Sequence, residues 1–366
     1  MQKKVASVNY YTASRIDEIS SDKASVKWKS PSNLAIIKYW GKHGTQLPRN
    51  PSISFTLDEA HTITTIQYEK KSSKGISIDF LFEGKKNELF QKKLEKFLGS
   101  VITYFPFLED IHLAISSGNS FPHSSGIASS ASAMSAIALC LCDIERQENG
   151  TLVDDKVFYE KASYIARLGS GSASRSVYGG MAMWGKSVTH AAASDNFAVP
   201  YTDHIDEIFK NFHDDILIVS KTEKSVSSTA GHALMNDNIY ATNRYQQAND
   251  RMATLLLALQ EGDLTTFGEI CEDEALTLHA LMMCSKPSYI LMEPASIAII
   301  NEVRNFRKEY DLPVYFSLDA GPNIHLLYPD HITEQVSYWK EDVLQAYCID
   351  GKIINDKVGP GPEKLG

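Results

Sequence analysis

Two kinds of hydrophobic spacing succeed one another along the chain, and their order predicts a mixed α/β protein. Period-two alternation marks strands. Ile53, Phe55 and Leu57 share one face, residues 61–68 alternate again, and Ile76, Ile78, Phe80 and Phe82 repeat the pattern after a polar stretch at 69–75. A polar turn between two alternating runs predicts a hairpin. Residues 24–28 and 111–116 read as further strands, and Pro48 and Pro51 make a turn ahead of Ile53. Helical spacing of Leu89, Phe90, Leu94, Phe97, Leu98 and Val101 predicts an amphipathic helix with its lysines in water. Met134, Ile137, Ala138, Leu141 and Ile144 predict a buried one. In the second half, residues 215–220 read as a strand, 239–260 and 293–310 as helices, and two strands flank a tight loop within 313–328. The pattern weakens between about 191 and 206, which divides the chain into an extension at 1–25, an N-terminal domain at 26–205 and a C-terminal domain at 206–366.

With 366 residues, 43% of them apolar, the chain has material for two ordinary cores. Its net charge of -9 excludes a general affinity for nucleic acid, so any phosphate ligand must be met by local groups. Only Cys140 and Cys142 of the five cysteines lie close in sequence, which gives neither a disulfide framework nor a zinc pattern and fits a reducing compartment. The first residues lack the apolar core of a signal peptide and no run approaches membrane-spanning length, so a cytoplasmic protein without a membrane partner is expected.

Two small-residue clusters carry candidate chemistry. Residues 120–136 (Ser-Phe-Pro-His-Ser-Ser-Gly-Ile-Ala-Ser-Ser-Ala-Ser-Ala-Met-Ser-Ala) run from a loop into a helix. Gly126 lets backbone approach a ligand, and Ser129 and Ser130 are placed to cap a helix whose free amides face an anion. An ordinary Ser-capped core helix reads the same way. At 168–180 a single Arg175 stands among glycines and serines ahead of bulky residues, which predicts a folded loop presenting a two-pronged cation to a carboxylate or phosphate, or to a structural acid. Lys38 and Lys42 border an apolar run, either as solvated ends or as an anion site. Asp319 precedes Ala-Gly-Pro in the late loop, where a turn-forming Asp and a catalytic one look alike.

Four motifs in one order, with a fifth segment, resemble a known family. They are Ile-Lys-Tyr-Trp-Gly-Lys at 37–42, Gly-Ile-Ala-Ser-Ser-Ala at 126–131, Gly-Ser-Gly-Ser-Ala-Ser-Arg-Ser at 169–176 and Asp-Ala-Gly-Pro-Asn at 319–323, joined by Val-Ser-Ser-Thr-Ala-Gly at 226–231. Together they resemble diphosphomevalonate decarboxylases, within the GHMP kinase superfamily of galactokinase, homoserine kinase and mevalonate kinase. The resemblance implies an α/β (α+β) two-domain GHMP-kinase-like fold, with a ribosomal-protein-like N-terminal domain, a ferredoxin-like C-terminal domain and the active site between them. It further implies a homodimer that uses ATP and Mg2+ to convert 5-diphosphomevalonate into isopentenyl diphosphate, ADP, phosphate and CO2. By the same resemblance Asp319, Lys38 and Arg175 are catalytic, and Tyr39, Lys42, Ser170 and Ser172 contact substrate. Gly126, Ala128, Ser129 and Ser130 would hold the triphosphate, with Ser130 reaching the metal.

The chain also departs from the family. Lys42-His43-Gly44 stands where Lys-Arg-Asp is common, and His123-Ser124-Ser125 where Thr-Ala-Ala is common. No Arg occurs between Glu69 and Arg146, so an Arg that many relatives direct at the substrate diphosphate has no counterpart, and Lys92 or Lys93 would have to serve. A Lys offers a point charge in place of a fork. The same chemistry on 5-phosphomevalonate is therefore an alternative, and a non-catalytic nucleotide sensor is a third reading.

Overall fold

The computed structural model describes residues 23–122, 127–221 and 226–366. Nearly all of the expected extension, together with Gly126 and His123 of the first small-residue cluster, lies outside the described residues.

The first sheet is built on two long strands, β1 (Ala24–Ile37) and β2 (Ser52–Lys70), which pair antiparallel. Both are longer than their alternation predicts. Sequence periodicity breaks at Asp58, Glu59 and Ala60, yet the strand continues, because the carboxylate of Asp356 accepts hydrogen bonds from all three of their backbone N–H groups. A distant acid thus supplies the partners that a break in the ladder would leave unmet.

The expected hairpin between residues 61–68 and 76–82 does not form. β3 (Ile78–Phe82) is separated from β2 by β4 (Ile111–Asn119), which runs antiparallel to β2 and parallel to β3. Length explains the choice: β4 pairs with β2 from Thr62↔Asn119 to Lys70↔Ile111, a stretch the five-residue β3 could cover only in part. The short β5 (Met181–Trp184) pairs with the other half of β2.

Helices α1 (Glu88–Val101), α2 (Ser129–Asn149) and α3 (Asp155–Gly169) cover one face of this sheet, and Trp28, Ile66, Phe97, Leu139, Phe158 and Ile165 share its core. Asn87 and Asp154 cap α1 and α3 by accepting from the backbone N–H three residues on. The α2 serines divide by depth. Ser132 bonds Thr62 at 2.6 Å and Ser135 bonds Ser30 at 2.5 Å, so half of the small-residue cluster serves close packing of helix on sheet.

The second sheet has β6 (His213–Leu217), β7 (Tyr315–Ser317), β8 (Ile324–Tyr328) and β9 (Ile353–Ile354), in the order β7-β8-β6-β9 with every neighbour antiparallel. Helices α4 (Ser228–Leu234), α5 (Ala241–Glu261), α6 (Leu264–Met283) and α7 (Pro294–Tyr310) lie between β6 and β7, and α8 (Thr333–Asp342) precedes β9. This is the βαββαβ connectivity and strand order of a ferredoxin-like fold. The chain then returns to the first sheet, where β10 (Glu363–Lys364) pairs with β1. One apolar cluster joins Ile36, Ile53 and Phe55 of the first sheet to Leu327 of the second and to Met252 and Phe267 of α5 and α6, so the two halves share a buried seam. The candidate residues gather along that seam.

Candidate active site

Lys38 follows β1 directly, and Asp319 lies two residues beyond β7. The Lys38 Nζ donates to Asp319 Oδ1 at 3.0 Å and to Ser317 Oγ at 2.9 Å. Lys38 is 2% exposed and Asp319 23%, so the ammonium is sealed while the carboxylate still reaches solvent. The late loop is closed by its backbone: Gly321 N–H donates to the Asp319 carbonyl at 2.7 Å, and His279 Nε2 donates to the same oxygen at 3.1 Å. Asn323 ends the motif by accepting from the N–H groups of Val219 and Ser220, which ties the loop to the exit of β6.

The peptide of Lys38 is itself held. Its N–H donates to Glu274 Oε2 at 2.8 Å, and its carbonyl accepts from Asn50 Nδ2 at 3.0 Å and Arg244 Nη2 at 3.3 Å. Glu274 in turn takes both terminal nitrogens of Arg244, and one from Arg251 at 2.8 Å. Burial pushes the Glu274 carboxyl up, but the two arginines and the Lys38 N–H pull it below the usual carboxylate range. Glu274 and Arg244 went unread in the sequence; the available signal was an acid inside the apolar run of α6.

Arg175 is fully buried beside this pair. Its Nε donates to Ser54 Oγ at 2.9 Å, Nη1 to Ser52 Oγ at 2.5 Å and Nη2 to Asn33 Oδ1 at 3.3 Å, all neutral partners. Burial lowers its pKa to about 10, and the nearby Asp319 charge opposes that shift. Ser52 and Ser54 were legible as the polar face of the strand whose apolar face carries Ile53 and Phe55. Their role against a distant Arg was not.

Tyr39 turns the other way, edge-on to Trp184 at 4.7 Å between ring centroids and beside the His232 ring at 4.3 Å. Its hydroxyl is buried without a hydrogen-bond partner among the described residues, and burial raises its pKa well above the ordinary tyrosine value. Gly171 has no room for a side chain, because a Cβ there would lie 2.9 Å from that hydroxyl and 2.8 Å from Trp184. Lys42 is half-buried, bonds Gln46 at 2.8 Å, and has its pKa lowered by burial.

The phosphate-loop serines do not cap α2. Ala128 is the N-cap, in a left-handed conformation with φ 44°, and no side chain accepts from the first turn. Ser129 and Ser130 therefore occupy the first helical turn. The reason is the tight entry at Ala128, whose carbonyl takes the N–H of Ala131 at 2.7 Å. Ser130 is exposed, and its hydroxyl lies 3.3 Å from that of Ser170, so the two small-residue clusters meet at the α2 N-terminus. Ser170 and Ser172 are half-buried there. Lys92 and Lys93 sit on the exposed face of α1, with Lys93 over the Phe90 ring. A cavity of about 420 Å³, lined by residues that include Ile63, Glu83, Ser116 and Asn119, opens beside β4.

The structure thus brings Lys38, Asp319 and Arg175 together, places Tyr39 next to that group, and sets Ser130 against Ser170 at the helix entry. Among the described residues, no group of three or more His, Cys, Asp and Glu could hold a metal ion, and no helix is long and apolar enough to cross a membrane.

Comparison with known proteins gives one answer. Residues 30–198 match the diphosphomevalonate decarboxylase-like N-terminal domain, and residues 215–356 the mevalonate 5-diphosphate decarboxylase C-terminal domain. The chain is 30% identical to the diphosphomevalonate decarboxylase of Ganoderma lucidum, over 92% of this chain and 94% of that one. It is 28% identical to the phosphomevalonate decarboxylase of Haloferax volcanii, over 80% of this chain and 84% of that one. The solved structure of MDDEF in complex with MVAPP, AMPPCP and magnesium superposes with a TM-score of 0.78 at 28% identity, covering 94% of this chain and 99% of that one. With both of its halves matched by models of one family, in that family's order, the chain belongs to the diphosphomevalonate decarboxylases.

Proposed function

We propose that the chain catalyses ATP-dependent decarboxylation of 5-diphosphomevalonate to isopentenyl diphosphate, releasing ADP, phosphate and CO2. The observation that carries this is the Lys38–Asp319 ion pair across the seam, with the guanidinium of Arg175 near that acid but hydrogen-bonded, among the described residues, to neutral groups. A tertiary alkoxide is a poor leaving group, and phosphorylation of the hydroxyl lets it depart as phosphate. The electrons of the neighbouring carboxylate then form the alkene as CO2 leaves.

The family likeness suggests the roles, and the geometry supports them. Asp319 is the base that takes the hydroxyl proton as that oxygen attacks the γ-phosphoryl group. Lys38 holds Asp319 in place and offsets charge that builds during transfer. Arg175, held only by hydroxyl and amide oxygens, orients the substrate carboxylate through its planar fork. Tyr39, Lys42, Ser170 and Ser172 line the substrate side. Ala128, Ser129 and Ser130 at the α2 N-terminus, with Gly126 before them, receive the triphosphate.

The Ser130 hydroxyl at this end suits Mg2+, which keeps water and phosphate oxygens and needs few protein ligands. When bound, the ion supplies charge neutralisation on the triphosphate. The same proposal includes a boundary near residue 205, a homodimer and a cytoplasmic setting, on the strength of the family likeness. The AMPPCP and magnesium bound by MDDEF support the nucleotide part.

A second reading, the same reaction on 5-phosphomevalonate, is favoured by the lack of any Arg between Glu69 and Arg146. One experiment separates the two. CO2 and ADP release is measured with each substrate offered alone, for wild type and for Asp319→Asn. Both products from the diphosphate, with turnover in Asp319→Asn reduced roughly 10²–10⁴-fold and nucleotide binding kept, is the expected result. Preference for the monophosphate establishes the second reading, and ADP without CO2 removes both.

A further inference from the structure

His232 on α4 is 8% exposed and takes no part in the roles assigned above. Its ring lies 4.3 Å from that of Tyr39 and 4.6 Å from that of Trp40, between centroids. Its Nδ1 receives the backbone N–H of Gly41 at 3.0 Å. A backbone amide can only donate, so Nδ1 must be unprotonated and the ring proton must sit on Nε2.

The contact is held rigidly. Gly41 has φ +100°, and a Cβ there would lie 2.3 Å from the Tyr245 hydroxyl, so this peptide has neither room nor freedom to turn. On the other side a Cβ on Gly231 would lie 2.7 Å from the Trp40 ring, which shows how closely α4 is pressed on the Lys38–Lys42 segment. Protonating Nδ1 would set two N–H groups against each other, and burial with the nearby Lys42 charge opposes it as well.

Among the described residues no acceptor takes the Nε2 proton. The adjacent Tyr39 hydroxyl is likewise without a partner. Two unpaired polar groups on neighbouring rings, next to a half-buried lysine, describe a place built for an anion brought from outside.

We propose that the Nε2–H of His232 donates a hydrogen bond to the terminal phosphate of the substrate, as the neutral companion of Lys42. This rests on the reading of the reaction above. A neutral donor adds a charge-assisted hydrogen bond without a second cation to repel Lys42. It also supplies part of what the absent Arg would give.

The test uses two conservative variants. His232→Asn keeps an acceptor for the Gly41 N–H and removes the donor, whereas His232→Gln carries an amide donor near the Nε2 position. In His232→Asn, KM for 5-diphosphomevalonate should rise roughly tenfold to hundredfold with KM for ATP unchanged, and His232→Gln should recover part of the loss. In ¹⁵N-edited spectra of the wild type, the Nε2 proton should shift when 5-diphosphomevalonate is added without nucleotide. An unchanged KM in His232→Asn overturns the proposal. So does a loss that follows melting temperature in both variants, which would make the ring structural. If the wild type releases neither CO2 nor ADP, the reading of the reaction fails, and the Nε2 shift with substrate alone still decides the role of His232.

Discussion

Arg244 and Arg175 are both buried and both lie within the site, but their charges are handled in opposite ways. Arg244 meets Glu274 with both terminal nitrogens, and Arg251 adds a second cation to the same carboxylate. Arg175 meets two hydroxyls and an amide oxygen. The first arrangement is complete within the chain and has a mechanical use, since the Glu274–Arg244 pair grips both the N–H and the carbonyl of Lys38. The second leaves a positive charge hydrogen-bonded but not neutralised, in surroundings that lower its pKa. A buried cation of that kind is costly to the fold, and it is tolerated where an arriving anion completes it. Burial alone does not distinguish a structural arginine from a working one; the charge of its partners does.

The contrast can be broken by making Arg244 resemble Arg175. Glu274→Gln removes the only acid shared by Arg244 and Arg251 while keeping shape and an acceptor oxygen. The buried Arg244 then loses its counter-charge, while Arg251 keeps its pair with Asp273 at 2.9 Å, and unfolding free energy should fall by about 3–5 kcal/mol. Urea titration followed by circular dichroism measures it. A midpoint close to wild type would mean that the pair is not what secures Lys38.

Arg175→Lys sharpens the contrast from the other side. The fork that spans Ser52, Ser54 and Asn33 becomes a single point charge, and the carboxylate of the substrate loses a planar partner. Turnover should drop about 10²–10³-fold, in the range for losing one preorganised donor. The chain should still fold, at a cost of about 1–3 kcal/mol for the buried hydrogen bonds lost, less than for Glu274→Gln because no ion pair is broken. Unchanged kinetics would move Arg175 among the structural arginines.

Much of the fold was legible along the chain because alternation and helical spacing are local. The α5 and α7 helices, the strand pair around the Asp319 loop and the buried α2 all follow from spacing. The hairpin failed for a reason that spacing does not carry: which strand lies beside β2 depends on the competing β4, more than forty residues downstream of it. The Asp58–Ala60 break was visible, and its repair by Asp356 was not, since the partner lies 296 residues away from Ala60. The site shows the same division. Lys38, Arg175 and Asp319 could be named because their motifs occur in a recognisable order, whereas Glu274, Asn33, Ser317 and His232 are ordinary residues until the seam brings them together. The serines at 129 and 130 were named correctly as the first residues at the α2 entry but given the wrong local role, because the left-handed Ala128 leaves no trace in a run of small residues.

His232 joins Lys38, Arg175 and Arg244 as a buried basic side chain of the same site, and unlike them it is held neutral. Burial first, and the Lys42 charge second, lower its pKa to about 3. The groups facing it are Tyr39, Trp40 and the Gly41 N–H, together with Lys42, and none of them favours the imidazolium. The sign of the pH effect follows. An unfolded histidine takes a proton near its ordinary pKa of about 6.5, whereas the folded one does not until far lower pH, so over that interval the unfolded chain binds more protons. Stability must therefore fall as pH is lowered through it, with about 1.4 kcal/mol per pH unit coming from this ring. Other groups titrate there too, and the difference between wild type and His232→Asn isolates the one. Urea unfolding of both proteins should show the wild type losing its advantage by that slope between about pH 6 and 4, with a plateau on the alkaline side. Parallel curves would mean that the ring accepts its second proton inside the fold. In that case the Gly41 N–H does not fix the tautomer, and His232 adds a fourth buried cation to Lys38, Arg175 and Arg244 in place of a neutral donor.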